Sequence, residues 1–303
     1  MLSSRFGELI SIRCRSRRKA SRSVGRVRLD RIHGGAVMAR PSRVRGLRST
    51  GVLAPLLLAL LAVGCGQRLD VGSDVLWNAR FETNDFSEWS SVPGGAATAF
   101  PAPPNTIVVA SEHAHHGAYS AKLTIDAGPG GAQENAGFRL AGGLPVAAYY
   151  SAWYYVPETV TVGGFWTVFK FRMRTLADDP TSDTELYDLD IDTAPGGEMT
   201  LQLYDHRAGN IPLDVQGVVL PVGAWFQLEA YYRNAPDTTG RVTYWLDGQQ
   251  IVDVAGHPMS PNAWVEWNAV NVGVNLTPAV VNLFIDDCAV SLTRVGPTGV
   301  LAE

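Results

Sequence analysis

The chain has 303 residues, 46% of them hydrophobic and 18% charged, with a formal net charge of −4. That near-neutral figure hides a division. Thirteen Arg and one Lys lie within residues 1–48, whereas from Cys65 onward only 11 basic residues face 27 acidic ones, a net charge of −16. So acidic a body excludes nucleic acid as a partner, which calls for a basic face, and suits an exported protein using calcium, whose preferred ligands are oxygens.

The first 64 residues are set apart from the folded chain. A basic stretch is followed by the apolar run from Val52 to Val63 and then by Gly64-Cys65, the order of a signal peptide. The run is too short to span a bilayer as a helix. Leu61-Ala62-Val63-Gly64-Cys65 resembles the lipobox of bacterial lipoproteins, which implies lipidation at Cys65 and a membrane-anchored, exported location at the outer membrane or cell surface. Residues 1–37 read as an over-extended start or a disordered leader, because Met38 begins a signal of ordinary length. Residues 65–75 form a tether, 76–296 one domain and 297–303 a tail. Once Cys65 is lipidated, Cys288 has no disulfide partner and is expected as a buried small hydrophobe. Stability must then come from a large apolar core in a monomer.

Beyond the tether the chain reads as all-β, with roughly 11 to 14 strands spaced as in a sandwich. Trp77-Asn-Ala-Arg-Phe-Glu-Thr-Asn-Asp-Phe-Ser-Glu-Trp89 leads into a Pro/Gly/Ala-rich loop over 90–105. Strands follow over 106–110, after His113-Ala-His-His-Gly-Ala-Tyr-Ser, and over 135–140, 148–156, 165–174, 185–192 and 199–206. Trp225 to Arg233 alternates Phe226, Leu228, Ala230 and Tyr232 with Gln227, Glu229, Tyr231 and Arg233, the period-two pattern of a half-buried strand. Arg241–Leu246 and 249–254 form a hairpin about Asp247-Gly248, a pair suited to positive φ. Strands over 263–274 and 281–292 complete the set.

The central strands carry a polar side. Strict alternation through 165–174 places Phe165, Thr167, Phe169, Phe171 and Met173 inward, and Trp166, Val168, Lys170, Arg172 and Arg174 outward. In 185–192, Asp188, Asp190 and Asp192 oppose Tyr187, Leu189 and Ile191; in 199–206, Thr200, Gln202, Tyr204 and His206 oppose Met199, Leu201 and Leu203. With Gln227, Glu229 and Tyr231 these rows suggest one groove. Sugar C–H faces stack on aromatic rings, and hydroxyls bond to Asp, Gln and Arg. The competing account is a solvated sheet surface on which opposite charges pair across strands.

Trp225-Phe-Gln-Leu-Glu-Ala-Tyr-Tyr-Arg233 and Gly240-Arg-Val-Thr-Tyr-Trp-Leu-Asp-Gly-Gln249 resemble the late hairpins of concanavalin A-like jelly rolls. That group holds laminin-G-like modules and the heparin-lyase-I-like and alginate-lyase-like polysaccharide lyases. The resemblance implies a jelly-roll β-sandwich of two antiparallel sheets with a sugar groove, and a fold of this kind does not fix an activity. Three activities remain open. One is polysaccharide binding alone, through Trp166, Arg172, Arg174, Asp188, Asp190, Gln202, Tyr204, Gln227, Glu229 and Tyr231. Another is β-elimination at a uronate, with Arg172, Lys170 or Gln202 neutralising the carboxylate and His206 or Tyr204 moving protons. The alginate-lyase motifs are incomplete: Phe-Lys-Phe-Arg-Met-Arg lacks their glutamate, and Gln202-Leu-Tyr204 replaces their Gln-x-His. The third is glycoside hydrolysis by Asp188 and Asp192, resembling the Glu-x-Asp-x-Glu strand of jelly-roll glucanases. The same resemblance implies a structural Ca²⁺ joining the domain's two ends through Glu82 with Asp286, or with Asp287 if a bulge exchanges the two.

Overall fold

The computed structural model describes residues 74–213 and 218–299. The leader, the signal segment, Cys65 and most of the tether lie outside the described residues. Among the described residues, fifteen strands within one compact unit form two antiparallel sheets. There is no α-helix among the described residues, only a 3₁₀ turn at Pro180–Ser182.

The eight-stranded sheet runs β13 (Gln249–Ala255), β12 (Arg241–Leu246), β11 (Trp225–Arg233), β6 (Ala147–Tyr155), β15 (Val280–Ser291), β4 (Ser120–Asp126) and β3 (Thr106–Ala110). β1 (Val75–Ala79) pairs with the end of β15, so the first and last strands are neighbours. The seven-stranded sheet runs β10 (Gly209–Ile211), β9 (Met199–Asp205), β8 (Asp183–Thr193), β7 (Thr161–Arg174), β14 (Glu266–Thr277), β5 (Glu134–Ala141) and β2 (Ala96–Ala99). The short strands β1, β2 and β10, of five, four and three residues, are absent from the period-two reading, because so few residues carry little periodic signal.

Side chains from both inner faces fill the space between the sheets. Phe171 of β7 stacks on Tyr232 of β11 with centroids 4.3 Å apart, and Tyr150 packs edge-on against Phe171 at 5.1 Å. Asp247 (φ +48°) and Gly248 (φ +81°) form the expected two-residue turn between β12 and β13. Cys288 is buried and free, and burial pushes its thiol well above the usual range.

Bulges decide which way the central side chains point. The register between β7 and β8 shifts between Thr167 and Phe169, so Val168 and Phe169 both enter the core and the phase reverses before them. Trp166 is therefore a core residue with 0% exposure, not a groove residue. Its indole N–H donates to Asn271 Oδ1 at 2.8 Å, while Asn271 Nδ2 donates to Leu123 O and Val281 O of the opposite sheet. A buried indole needs such a partner, and Asn271 thereby connects the two layers.

Candidate functional site

β7, β8 and β9 place their polar side chains on the outer face of the seven-stranded sheet, and β5 and β14 extend that face. Two adjoining depressions, each of about 350 Å³, share Gln133, Lys170 and Glu185. Phe165, Asp188, Asp190, Tyr204 and His206 complete the first, and Arg139, Arg172, Glu266 and Asn268 lie in the second. Three of the four strands expected to build the groove do so together. Phe165, expected in the core, lines it because of the β7 bulge.

A dense network occupies the first depression. Lys170 Nζ lies 2.7 Å from Glu185 Oε1 and 3.4 Å from Asp188 Oδ2. His206 Nε2 lies 2.9 Å from that same Asp188 oxygen, its Nδ1 is 3.6 Å from Glu185 Oε2, and its ring meets Tyr204 edge-on at 5.0 Å. Burial opposes ionisation of Glu185, but Lys170, with His206 and Arg172, outweighs it and holds the carboxyl below its ordinary value. The hydrogen bond to Asp188 raises His206 above the usual imidazole value even though partial burial works the other way. Asp190 is pushed up to about 6, first by burial and further by Asp188, although Thr167 Oγ1 donates to it at 2.6 Å. Glu185, Asp188 and His206 have metal-ligand character, but the Lys170 ammonium already lies against both carboxylates.

In the second depression Glu266 is fully buried between two guanidinium groups, with Arg172 Nη1 at 3.6 Å and Arg139 Nη1 at 3.8 Å. Those separations exceed hydrogen-bond length, and Arg172 Nε is buried with no partner. That nitrogen is closed to solvent, but the two side chains are 39% and 27% exposed, so the rest of the pair can still present guanidinium N–H groups to an incoming anion. Arg139, Lys170 and Arg172 are three of only eleven cations from Cys65 onward, and here they face two carboxylates, Glu185 and Glu266, a local excess of one positive charge in an otherwise acidic domain.

The remaining expected residues fall elsewhere. Gln227, Glu229 and Tyr231 belong to the eight-stranded sheet, and their polar row lies on its outer side, away from the groove. The C-terminal segment covers that row. Glu229 accepts from Arg294 Nε and Val295 N, both at 2.8 Å, and Gln227 Nε2 donates to Gly296 O. Tyr231 packs against Tyr149 at 5.1 Å. Arg174 binds Asp183 Oδ1 at 2.6 Å and lies over the Trp264 ring, at the end of β7. Gln202 and Asp192 line a third depression beside β10, apart from Asp188. Glu82 accepts the amides of Ala118 and Tyr119, while Asp286 Oδ2 accepts the amide of His115. Among the described residues, Asp287 is grouped with His115 and His116 and not with Glu82.

Sequence reasoning missed Glu185, Arg139, Glu266 and Asn268. The bulge between Phe171 and Arg172 places Glu185 beside Lys170, a placement that strict alternation along β8 does not give. Arg139 and Glu266 come from strands distant in sequence that flank the central pair. For Glu266 the available signal was its being the one charged residue of its strand.

This is an all-β jelly-roll sandwich with a polar groove across one sheet. No protein-family model and no curated protein sequence matches the chain. Among solved structures it is similar to the endo-β-1,4-glucuronan lyase of the fungus Trichoderma reesei, at 12% identity and a TM-score of 0.53, over 75% of this chain and 100% of that one. It is also similar to the alginate lyase vAL-1 from Chlorella virus (11% identity, TM-score 0.48, 73% of this chain and 100% of that one). A third is the marine alginate lyase from Aplysia kurodai (9% identity, TM-score 0.48, 72% and 99%). These structural neighbours are polysaccharide lyases of the jelly-roll type, and at such identities the likeness is one of fold.

Proposed function

We propose that the groove binds a uronate-containing polysaccharide and cleaves it by β-elimination. The observation that carries this reading is the adjacency of two elements. A partly exposed guanidinium pair, Arg139 and Arg172, standing beyond hydrogen-bond length of Glu266, adjoins a proton-transfer cluster formed by Tyr204, His206 and Lys170 on one sheet face. In such a reaction the arginines neutralise the uronate carboxylate, making the C5 proton acidic enough to remove. A base takes that proton, its electron pair forms the C4–C5 double bond, the C4–O bond breaks, and an acid protonates the departing oxygen. Tyr204 is exposed, at 37%, and His206, also exposed, stands beside it. Asp188 orients the imidazole through Nε2, and Glu185 holds Lys170.

Binding without cleavage is the alternative, favoured by the pairing of Lys170 and His206 with carboxylates, which restrains both as proton carriers. We further propose that the protein is exported and anchored through lipidated Cys65, on the signal and lipobox order described above.

The two readings separate in one experiment. The purified protein is incubated with glucuronan, alginate, a heparin-type polymer and a neutral glucan, and both ultraviolet absorbance of the unsaturated uronate and retardation in affinity electrophoresis are recorded. Cleavage predicts absorbance with at least one uronate polymer and none with the glucan. Tyr204→Phe and His206→Ala should each lower the rate by about 10²-fold or more, whereas Arg172→Ala chiefly weakens binding. Retardation without absorbance establishes the binder, and neither signal with any polymer removes both readings.

A further inference from the structure

A second convergence of ligand-type side chains lies on the other sheet, where β15 bulges. The register against β6 shifts between Asp286 and Ala289, and Asp287 adopts φ +44°. A non-glycine residue in that region is held at a cost of about 1 kcal/mol or more, and bulges commonly re-aim a side chain. Here the bulge turns Asp287 toward the loop before β4. Asp286 Oδ2 accepts the backbone amides of His115 and His116 at 2.9 and 3.4 Å, so one carboxylate fixes the loop that carries both imidazoles. His115 also lies flat on Trp153, with ring centroids 3.7 Å apart and planes 17° apart. His115 Nδ1 and His116 Nδ1 then meet Asp287 Oδ2 at 2.6 and 2.5 Å. Arg80 Nε faces the other oxygen, Oδ1, at 3.4 Å.

We propose that His115 Nδ1, His116 Nδ1 and Asp287 Oδ2 form a binding site for a divalent transition-metal ion of the zinc type. Two imidazoles and one carboxylate suit zinc, cobalt or nickel, whereas calcium takes six to eight oxygens. The three ligand atoms lie within 4.8 Å of one another. Zinc at about 2.0–2.1 Å from each, in tetrahedral geometry, separates them by about 3.3 Å. The two contacts to Asp287 therefore need to open by less than about 1 Å, a displacement that a loop side chain can supply. The half-exposed His116 leaves a path for entry and a further position for solvent. Arg80 on the non-ligating oxygen, and Asp286 beneath the loop, supply the orienting contacts that ligands of this kind require. The ion would tie β15 to a loop about 170 residues earlier, and its binding free energy would add to that of folding.

Chelator-treated protein is titrated with Co²⁺, Zn²⁺ and Ca²⁺, following visible absorption and thermal melting. One equivalent of Co²⁺ is expected to give visible d–d bands that Zn²⁺ abolishes, and Zn²⁺ to raise Tm by several degrees, with Ca²⁺ doing neither. His116→Ala removes one partner of the buried Asp287 carboxylate and should melt somewhat below wild type without metal, yet it should lose the cobalt bands and show no further rise in Tm with zinc. His206→Ala should retain both, since it alters only the groove's own ligand-type group. Absence of any response to Co²⁺ and Zn²⁺ overturns the proposal. So does stabilisation by Ca²⁺ in place of Zn²⁺, or a response lost with His206→Ala and kept in His116→Ala.

Discussion

Asp190→Asn tests whether the groove holds a carboxyl against its own tendency to ionise. With Asp190 at about 6 in the fold and a carboxyl near 3.9 in the unfolded chain, the difference is about 2 units, worth up to about 3 kcal/mol. Residual exposure and relaxation of the site reduce this, and about 1.5–3 kcal/mol is expected. The folded value is the raised one, so the unfolded chain releases its proton first as pH increases. Wild-type stability is therefore eroded between about pH 4 and 6, with the full penalty present above that window. Asparagine has the same shape, still accepts from Thr167 Oγ1, and never ionises. Denaturant unfolding of both proteins from pH 4 to 8 reports this group together with its coupling to Asp188, Lys170 and His206, while groups remote from the groove cancel in the difference. Asp190→Asn should match wild type near pH 4 and exceed it at pH 8, with Tm higher by about 3–12 °C, at about 2–4 °C per kcal/mol for a domain of this size. A difference independent of pH, or a less stable variant at pH 8, would refute the argument. Activity that falls while stability rises would mark Asp190 as a groove residue kept for its chemistry.

Trp166→Phe should cost about 2–4 kcal/mol by chemical unfolding, since it leaves a void and strips Asn271 Oδ1 of its buried donor, and polysaccharide retardation by the folded variant should be unchanged. Glu229→Gln should lower stability by about 2 kcal/mol and free the 294–296 segment for limited proteolysis, because one buried carboxylate holds both the Arg294 guanidinium and two backbone amides. Again the groove should bind as before, which separates the two sheets functionally. In a bacterial host the wild type should incorporate labelled palmitate and sediment with membranes, and Cys65→Ser should do neither; an unlabelled, soluble wild type would end the anchoring proposal.

Local pattern was enough to read the sandwich and half of its groove. Alternation of apolar and polar residues reports burial of one strand face without reference to the partner strand, so β8, β9 and β11 were legible as strands with the correct inner faces. The Asp247-Gly248 turn was equally local, because positive φ is a property of the residues themselves. Asp188, Tyr204, His206 and Lys170 followed from the same period and do meet. Sheet membership was decided only by tertiary pairing: the polar row of β11 has the same signature as that of β9, yet belongs to the opposite layer and receives the C-terminal segment. Bulges were the other hidden variable. A single extra residue reverses side-chain direction from that point on, so Trp166 went to the core, Phe165 and Glu185 to the groove, and Asp287 to the two histidines, none of which a strict period of two contains.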